Sequence, residues 1–350
     1  MAVRFQLEDG ATTQSHGQDK PAVARGSMTA PAPSPFRRQM VAQFGAIVLA
    51  GCALPARQAV LAPEIGFVDI RPGLALRRMT VRAERPRGTV LLLHGFPETL
   101  LGWMTVALAL GTDHEVHGFD WPGYGLSSRP PVDQFTYAPL DYAGVLKDYI
   151  ARAGIDRARL TIYATDTGAL PALLLALEEP DTASRIIVGD FAPFDRPHFM
   201  QATLQSLKSP ATAGATRAVM NANRNEILEN AFRRGLQAAE QFELSPEFRD
   251  DMRRGWDHPS LTTADAFFHY YSHFTRDQVH FEQHLARLRT PVEVVWGEKD
   301  FYISPGMGTE FATRANLPFR MLTQLGHYPH LQDPQGTVNH IRGAVNRSRT

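Results

Sequence analysis

The sequence has a single cysteine, no excess of charge and no internal repeat. One cysteine, Cys52, cannot form an internal disulfide or a cysteine cluster that binds a metal. Lysine plus arginine number 36, equal to aspartate plus glutamate, so the chain lacks the positive field that attracts nucleic acid. The missing repeat excludes solenoids and propellers. What remains is a chain of 350 residues, 43% of them hydrophobic, which is enough for one large core or a core with an insertion.

The N-terminal segment has the layout of a secretory signal. The stretch from Ser34 to Cys52 contains two arginines, then apolar residues, then small residues. Its end, Leu-Ala-Gly-Cys, resembles the bacterial lipoprotein cleavage site, where the cysteine is lipidated. The polar, proline- and alanine-rich residues 1–33 argue against a signal unless translation starts at Met28. Two expectations stay open: export or membrane attachment through a lipidated Cys52, or a cytoplasmic protein with a short hydrophobic N-terminal helix. Residues 1–60 are interpreted as a leader.

Short apolar runs alternate with helical patterns after the leader. Gly66–Ile70 and Leu74–Val81 flank an Arg-Pro-Gly turn and predict a hairpin, and Thr89–Leu93 is an unbroken apolar run typical of a strand buried on both faces. Further strands are predicted at His114–Phe119, Leu160–Ala164, Arg185–Val188 and Val292–Trp296, and helices over Tyr137–Ala153 and from Ala169. This alternation predicts an α/β fold with a mostly parallel sheet and helices on both faces.

A long stretch between the last two of these strands contains no convincing strand. It includes a polar helical pattern over Asn221–Gln241 and an aromatic-rich one over Ala264–Phe274. A break of this size in a strand–helix rhythm indicates an inserted helical lid, not a loop. We therefore predict a core made of residues 61–190 and 289–350, with residues 191–288 as the lid.

The strand that ends at Ala164 is followed by Thr-Asp-Thr-Gly, residues 165–168. A small residue two places before Asp166 and a glycine two places after it satisfy the steric demands of a sharp strand-to-helix turn, which exposes the central side chain above the sheet. The familiar pattern is Gly-x-Ser-x-Gly, and here the central residue is an aspartate. The alternative interpretation is an ordinary helix N-cap, since aspartate and threonine are common caps.

Four more loop motifs follow apolar runs, as the strand ends of one sheet would place them. They are His94–Pro97, Asp120–Ser127, Trp296–Asp300 and Gly326–His330. Asp166, Asp300 and His327 thus occur in the order nucleophile, acid, histidine. Asp190, directly after a predicted strand, is the alternative acid, and His330 is an alternative to His327.

Over about residues 62–345 these motifs resemble the α/β-hydrolase superfamily. Within it, an aspartate at the turn resembles the epoxide hydrolase and haloalkane dehalogenase branch, and His94–Glu98 is more similar to the epoxide hydrolases. The resemblance implies that Asp166 is the nucleophile, that His327 is the general base and that Asp300 orients it. It also implies an oxyanion hole made by the backbone amides of Phe96 and Thr167.

The implied reaction needs no metal and no organic cofactor. A carboxylate is already charged at neutral pH and can attack an alkyl carbon directly, which gives an ester on Asp166. Water then hydrolyses this ester with His327 as base. The expected substrate is a small, apolar, electrophilic molecule, and no oligomeric state is predicted.

The residues expected to assist the leaving group distinguish an epoxide from a haloalkane. Family dehalogenases use a tryptophan directly after the nucleophile and an asparagine or second tryptophan, whereas Thr167 and Phe96 stand there in this chain, although Trp256 could replace one donor. Epoxide hydrolases use lid tyrosines, which Tyr271 and its neighbour Tyr270 match, unless this aromatic face only packs the lid.

Epoxide hydrolysis to a diol is therefore the leading prediction, although no first lid tyrosine is found after Asp190. A haloalkane dehalogenase is the alternative. An alternative of another class is a non-catalytic ligand-binding protein with the α/β-hydrolase fold.

Overall fold

The structure, a computed structural model, describes residues 62–347. Within them a sheet of eight strands has the spatial order β1-β2-β4-β3-β5-β6-β7-β8. In chain order the strands are β1 (Glu64–Arg71), β2 (Leu74–Val81), β3 (Thr89–Leu93), β4 (Glu115–Phe119), β5 (Leu160–Thr165), β6 (Arg185–Gly189), β7 (Val292–Gly297) and β8 (Phe319–Leu322). Strand β2 runs antiparallel to β1 and β4, and the other neighbours are parallel. The predicted hairpin and mostly parallel sheet are confirmed.

Helices cover both faces of the sheet. They are α1 (Met104–Leu110), α2 (Pro139–Arg152), α3 (Ala169–Glu178), α4 (Ala202–Lys208), α5 (Ala213–Ala222), α6 (Arg224–Asn230), α7 (Pro246–Trp256), α8 (Thr263–Gln283), α9 (Pro305–Ala315), α10 (Pro329–Gln332) and α11 (Pro334–Arg347). Successive strand residues point to opposite faces. Leu91 and Leu93 of β3 therefore join the core under α2, α3 and α9, while Val90 and Leu92 join the core under α1 and α11. Burial on both faces explains the unbroken apolar run of β3.

Helices α4 to α8 form an insertion between β6 and β7. The aromatic stretch predicted as helical lies inside α8. The helical stretch predicted over Asn221–Gln241 is interrupted: only α6 and two short 3₁₀ turns, Ala231–Arg233 and Ala238–Glu240, follow the end of α5 at Ala222. Gly235 has a left-handed backbone (φ 83°) and passes so close to the loop after β7 that a Cβ atom would lie 2.7 Å from the Lys299 carbonyl oxygen. The chain thus approaches the core where the predicted helix is interrupted. Sequence periodicity does not indicate such a contact.

The predictions for the leader, including lipidation of Cys52, concern residues outside the part of the chain that the structure describes. Among residues 62–347, no helix combines the length and hydrophobicity needed to cross a bilayer.

Candidate active site

Asp166 stands on a sharp turn between β5 and α3. Its backbone is left-handed (φ 49°), a conformation that is rare and strained for residues with a side chain. The turn is tightly packed, because a Cβ atom on Gly168 would lie 2.9 Å from the carbonyl oxygen of His94. Likewise, a Cβ atom on Gly95 would lie 2.4 Å from the Cβ atom of Asp166. Glycine is thus required at both places, and the Asp166 side chain lies at the carboxyl end of the parallel strands.

Two backbone amides hold one oxygen of the Asp166 carboxylate. Oδ1 accepts a hydrogen bond from the Phe96 N–H (2.9 Å) and another from the Thr167 N–H (2.6 Å). These are the two amides that the sequence motifs indicated. Because backbone donors do not need to reorganise when charge moves, this oxygen has a preformed environment for negative charge.

The other oxygen of Asp166 faces an imidazole held by a second carboxylate. His327 Nε2 lies 3.1 Å from Asp166 Oδ2, and His327 Nδ1 lies 2.9 Å from Asp300 Oδ2. The remaining oxygen of Asp300 accepts the N–H groups of Tyr302 (2.8 Å) and Ile303 (3.1 Å), which orients the carboxylate.

The charge state of His327 follows from its two acidic neighbours. Burial lowers its pKa, but the charge of Asp300 and the hydrogen bonds of Asp166 and Asp300 outweigh burial and raise the pKa well above its ordinary value. Both ring nitrogens face carboxylate oxygens, so the resting imidazole is protonated and donates to both.

Asp190, the alternative acid, lies directly after β6 and is fully buried. Its Oδ1 accepts the Gly297 N–H (2.8 Å), while its Oδ2 has no hydrogen-bond partner among the described residues. The hydrogen bond from His327 Nδ1 goes to Asp300 and not to Asp190. Burial, followed by the charge of Asp300, raises the pKa of Asp190 well above its ordinary value, although His327 opposes the shift.

Asp190, Asp300 and His327 are also close enough to be considered as a metal site. One ligand atom from each lies within 4.8 Å of the others. However, Asp300 Oδ2 and His327 Nδ1 bond to each other, and Asp300 Oδ1 is occupied by two amides. We therefore assign no metal to this group.

A narrow cavity opens beside Asp166. Its walls combine the Asp166 turn with residues of α3, the loop after β6, α8 and the loop after β7, namely Asp166, Thr167, Leu170, Phe191, Ala192, Tyr270, Tyr271, Phe274 and Ile303. This lining contains no cationic, asparagine or tryptophan side chain. Trp256, the candidate replacement donor, packs against Phe96 at a ring distance of 5.7 Å and is not part of the lining.

The two adjacent tyrosines in the cavity differ in their hydrogen bonds. The Tyr270 hydroxyl donates to the Thr167 carbonyl oxygen at 3.2 Å. The Tyr271 hydroxyl makes no hydrogen bond within the described part of the chain. Burial, then the charge of Asp166, raises the pKa of Tyr271 well above its ordinary value. Tyr271 thus keeps its proton, and its side chain lines the same cavity as Asp166.

Sequence reasoning missed Tyr124, in the loop after β4. It is fully buried, and burial and the charge of Asp166 raise its pKa. Its hydroxyl faces the side chain of Thr167, and neither of these two oxygens has another hydrogen-bond partner among residues 62–347. Its Gly-Tyr-Gly context was the available signal, but the pattern did not place the side chain near Asp166.

Sequence reasoning also missed a connection behind the amide of Phe96. Glu98 Oε2 accepts the Gly95 N–H (3.1 Å), and its Oε1 accepts a hydrogen bond from His330 Nε2 (2.6 Å). The Tyr328 hydroxyl donates to the Phe96 carbonyl oxygen (2.9 Å). His330, the alternative to His327, is therefore bonded to Glu98, while His327 faces Asp166.

Comparison with known proteins agrees with this architecture. The model of the alpha/beta hydrolase fold family matches residues 88–334. The chain belongs to the α/β-hydrolase fold family. Mesoderm-specific transcript protein of Mus musculus is 23% identical over 278 residues, which covers 73% of this chain and 78% of that protein. Epoxide hydrolase 4 of Mus musculus is 30% identical over 152 residues, covering 43% of this chain and 40% of that relative.

Solved structures of other proteins share this fold. An epoxide hydrolase from Vigna radiata aligns with a TM-score of 0.66 at 19% identity, covering 81% of this chain and 98% of that one. A haloalkane dehalogenase from Bradyrhizobium elkani aligns with a TM-score of 0.65 at 20% identity, covering 82% of this chain and 99% of that one. Membership of this family supports a hydrolase function. The similarity to the two solved structures, at such low sequence identity, shows only that the fold is shared.

Proposed function

We propose that this α/β-hydrolase opens epoxides to diols through a covalent ester on Asp166. The observation that carries the proposal is that the two oxygens of that carboxylate have different partners. Oδ1 is held by the amides of Phe96 and Thr167, and Oδ2 faces His327. One oxygen is thus placed to attack, while the other is placed to carry the charge of a later intermediate.

In the first step, Oδ2 of Asp166 attacks one carbon of the epoxide ring. The carbon–oxygen bond of the ring breaks, and the ring oxygen takes the proton of the Tyr271 hydroxyl, leaving a phenolate. Ester formation removes the charge of Asp166, one of the two carboxylates that raise the pKa of His327, while Asp300 remains. The imidazolium then loses its proton, which restores the Tyr271 hydroxyl and leaves a neutral base.

In the second step, His327 takes a proton from water while the water oxygen attacks Cγ of Asp166. The negative charge that develops on Oδ1 is stabilised by the Phe96 and Thr167 amides, the interaction that typically contributes most to acyl chemistry. The bond between Cγ and Oδ2 breaks, and the departing alkoxide takes the proton of the new carboxyl group. The Asp166 carboxylate and the His327 imidazolium return, and the sum is epoxide plus water to diol.

The cavity favours a neutral epoxide over a haloalkane. An epoxide oxygen needs a proton donor, and Tyr271 has a free hydroxyl beside Asp166. A halide needs several weak donors, but the lining has neither tryptophan nor asparagine. Because the lining also lacks a cation, an anionic substrate would lose its hydration without a charged partner. The named relatives include both epoxide hydrolases and haloalkane dehalogenases, so dehalogenation is the competing outcome of the test.

The helical insertion over residues 191–288 is proposed as the lid of this site. Tyr270, Tyr271 and Phe274 of α8 line the cavity, facing the core residues Asp166 and Leu170. The insertion therefore supplies surface that contacts the substrate, while the core supplies the nucleophile.

The test is to trap the ester. Replacing His327 with glutamine removes the base of the second step, so styrene oxide should leave its mass on the peptide that contains Asp166, about one adduct per chain. Asp166→Asn is the matched control and should carry none. Wild-type protein should convert the same epoxide to diol.

Two results would overturn the proposal. Halide release from brominated alkanes without diol formation from any epoxide would assign the site to dehalogenation. Absence of an adduct with both substrate panels, together with a ligand that raises the melting temperature but is not converted, would assign it to ligand binding.

A further inference from the structure

Two acidic residues, and not one, lie next to His327. Asp190 follows β6 and Asp300 lies in the loop after β7, and these strands are parallel neighbours in which Gly189 pairs with Val295. Parallel neighbours end at the same edge of the sheet. One oxygen from each carboxylate and a ring nitrogen of His327 consequently lie within 4.8 Å of one another.

The hydrogen bonds of Asp190 account for only half of its carboxyl group. Oδ1 accepts the Gly297 N–H, whereas Oδ2 is buried without a partner among the described residues. Its backbone is also left-handed, with φ of 53°. An unpartnered, charged oxygen in a fully buried position is costly, and a second charge beside Asp300 adds repulsion. A protonated carboxyl group avoids both costs.

The groups that face Asp190 come from three neighbouring elements. Asp300 and Asp166 are acidic and disfavour its charge, whereas His327 favours it. After burial, the charge of Asp190 in turn raises the pKa of Tyr163 of β5. The site therefore holds three carboxyl groups around one imidazole. Removing the charge of Asp300 takes away the largest repulsion on Asp190, while the attraction of His327 remains.

We propose that Asp190 is a reserve acid for His327: a positioning residue that stays protonated while Asp300 is charged, and that ionises to hold the imidazolium when Asp300 is neutral. The effect of this inference on the rate of ester hydrolysis rests on the proposed function. Its effect on the protonation of His327 rests only on the geometry of the three side chains. The two acids are then energetically coupled, since the charge state of Asp190 depends on the charge of Asp300.

A double-mutant cycle with Asp190→Asn and Asp300→Asn tests this coupling. Both substitutions remove a charge and keep the shape of the side chain. Asp190→Asn alone should change the rate of ester hydrolysis by less than about 3-fold, because it replaces a neutral group by another neutral group. The double variant should be slower by about 10-fold or more than the product of the two single effects, as expected for side chains that share a partner. Asp300→Asn should also show a rate that rises with pH as Asp190 ionises, and the double variant should lose that rise.

A second measurement does not depend on turnover. Nitrogen NMR of the His327 ring, assigned by comparison with His327→Gln, should show an imidazolium that persists to higher pH in Asp300→Asn than in the double variant. If this difference appears but no ester is trapped on Asp166, the proposed function fails and the reserve acid stands. The reverse pattern, a trapped ester with no difference in the ring titration, overturns the reserve acid alone.

Controls separate coupling from damage to the fold. Asp113→Asn, at an acid remote from the site that pairs with Arg342, should combine additively with Asp300→Asn. Alanine at positions 190 and 300 repeats the cycle in case the asparagine amide blocks the imidazole. Additive effects in both cycles, or a loss in Asp190→Asn as large as that in Asp300→Asn, would overturn the inference.

Discussion

Tyr271 and Tyr270 are neighbours in the chain and both line the cavity, but only Tyr271 has a free hydroxyl. We predict that Tyr271→Phe slows ester formation from an epoxide about 10²- to 10⁴-fold, the range for loss of a general acid. Rapid-mixing measurement of a single turnover reports this step. Tyr270→Phe is the matched control and should cost less than about 10-fold, since it loses one hydrogen bond to a carbonyl group. Equal losses in the two variants would contradict the assignment of the acid.

His327 gives a prediction about stability and pH. Its pKa in the folded protein is raised, so the folded state favours the protonated ring. The resulting stabilisation is complete below about pH 6.5, the ordinary pKa of histidine, and is lost as pH rises through the higher pKa of the folded protein. The difference in unfolding free energy between wild type and His327→Gln should therefore shrink at alkaline pH, as measured by denaturant titration. A difference that grows with pH would refute the charged state.

For single residues, the sequence was informative where the role of a residue depends on its position in a motif. Asp166, Asp300 and His327 each follow a predicted strand, and parallel strands bring such loops to one edge of the sheet. The raised pKa of Asp190 and the buried position of Tyr124 depend on neighbours from other elements. Neither property has a local sequence pattern, so neither could be predicted.

Among the elements, the loops after β3 and β8 are joined by two hydrogen bonds. Glu98 links Gly95 to His330, and Tyr328 bonds to the Phe96 carbonyl group. These contacts hold the peptide groups on either side of the one whose N–H faces Asp166 Oδ1. They therefore support the Phe96 amide without touching Asp166.

We predict that Glu98→Ala slows ester hydrolysis more than ester formation, because the Phe96 amide carries developing charge in the second step. Two buried donors also lose their acceptor, which costs about 1–3 kcal/mol of unfolding free energy for each. Single-turnover kinetics and urea unfolding measure the two effects. Tyr328→Phe, which removes one bond to the same loop, should show the same kinetic bias with a smaller loss. A uniform slowing of both steps would point to general loosening instead.

The sheet was predictable because strands buried on both faces are mostly apolar, as β3 is from Val90 to Leu93 and as β5 and β7 are apart from threonine and Glu293. The insertion was predictable only in outline. Its helices end where the chain contacts the core, as at Gly235 beside Lys299, and such contacts join residues far apart in sequence. The bond between Glu98 and His330 spans 232 positions and had no sequence signature for the same reason.

A buried network of hydrogen-bonded ion pairs connects the insertion to the sheet. Arg77 of β2 donates two hydrogen bonds to Asp251 of α7 (2.7 and 2.6 Å) and one to Asp120 (2.6 Å). Asp251 also accepts the Thr99 hydroxyl (2.6 Å). One hydrogen-bonded network around the Arg77 guanidinium group therefore connects the hairpin, the loops after β3 and β4, and the insertion.

We predict that Asp251→Ala lowers the unfolding free energy by about 3–5 kcal/mol, because it leaves the buried Arg77 charge with a single partner. Chemical denaturation gives the value. The double variant Arg77→Met with Asp251→Leu should recover part of the loss, since it removes the stranded charge. A single variant as stable as wild type would show that water reaches Arg77.

In the proposed mechanism the two oxygens of Asp166 have different roles, and this difference predicts which oxygen isotope each product contains. Oδ2 forms the bond to the substrate, and water replaces Oδ2 when the ester is hydrolysed, so each product carries away an atom of the protein. In water enriched with the heavy oxygen isotope, the first diol from each molecule should be unlabelled, while the Asp166 peptide gains the label. Labelled diol should appear only from the second turnover onward. Mass spectrometry of product and peptide would therefore show that every diol contains the water of the turnover before it.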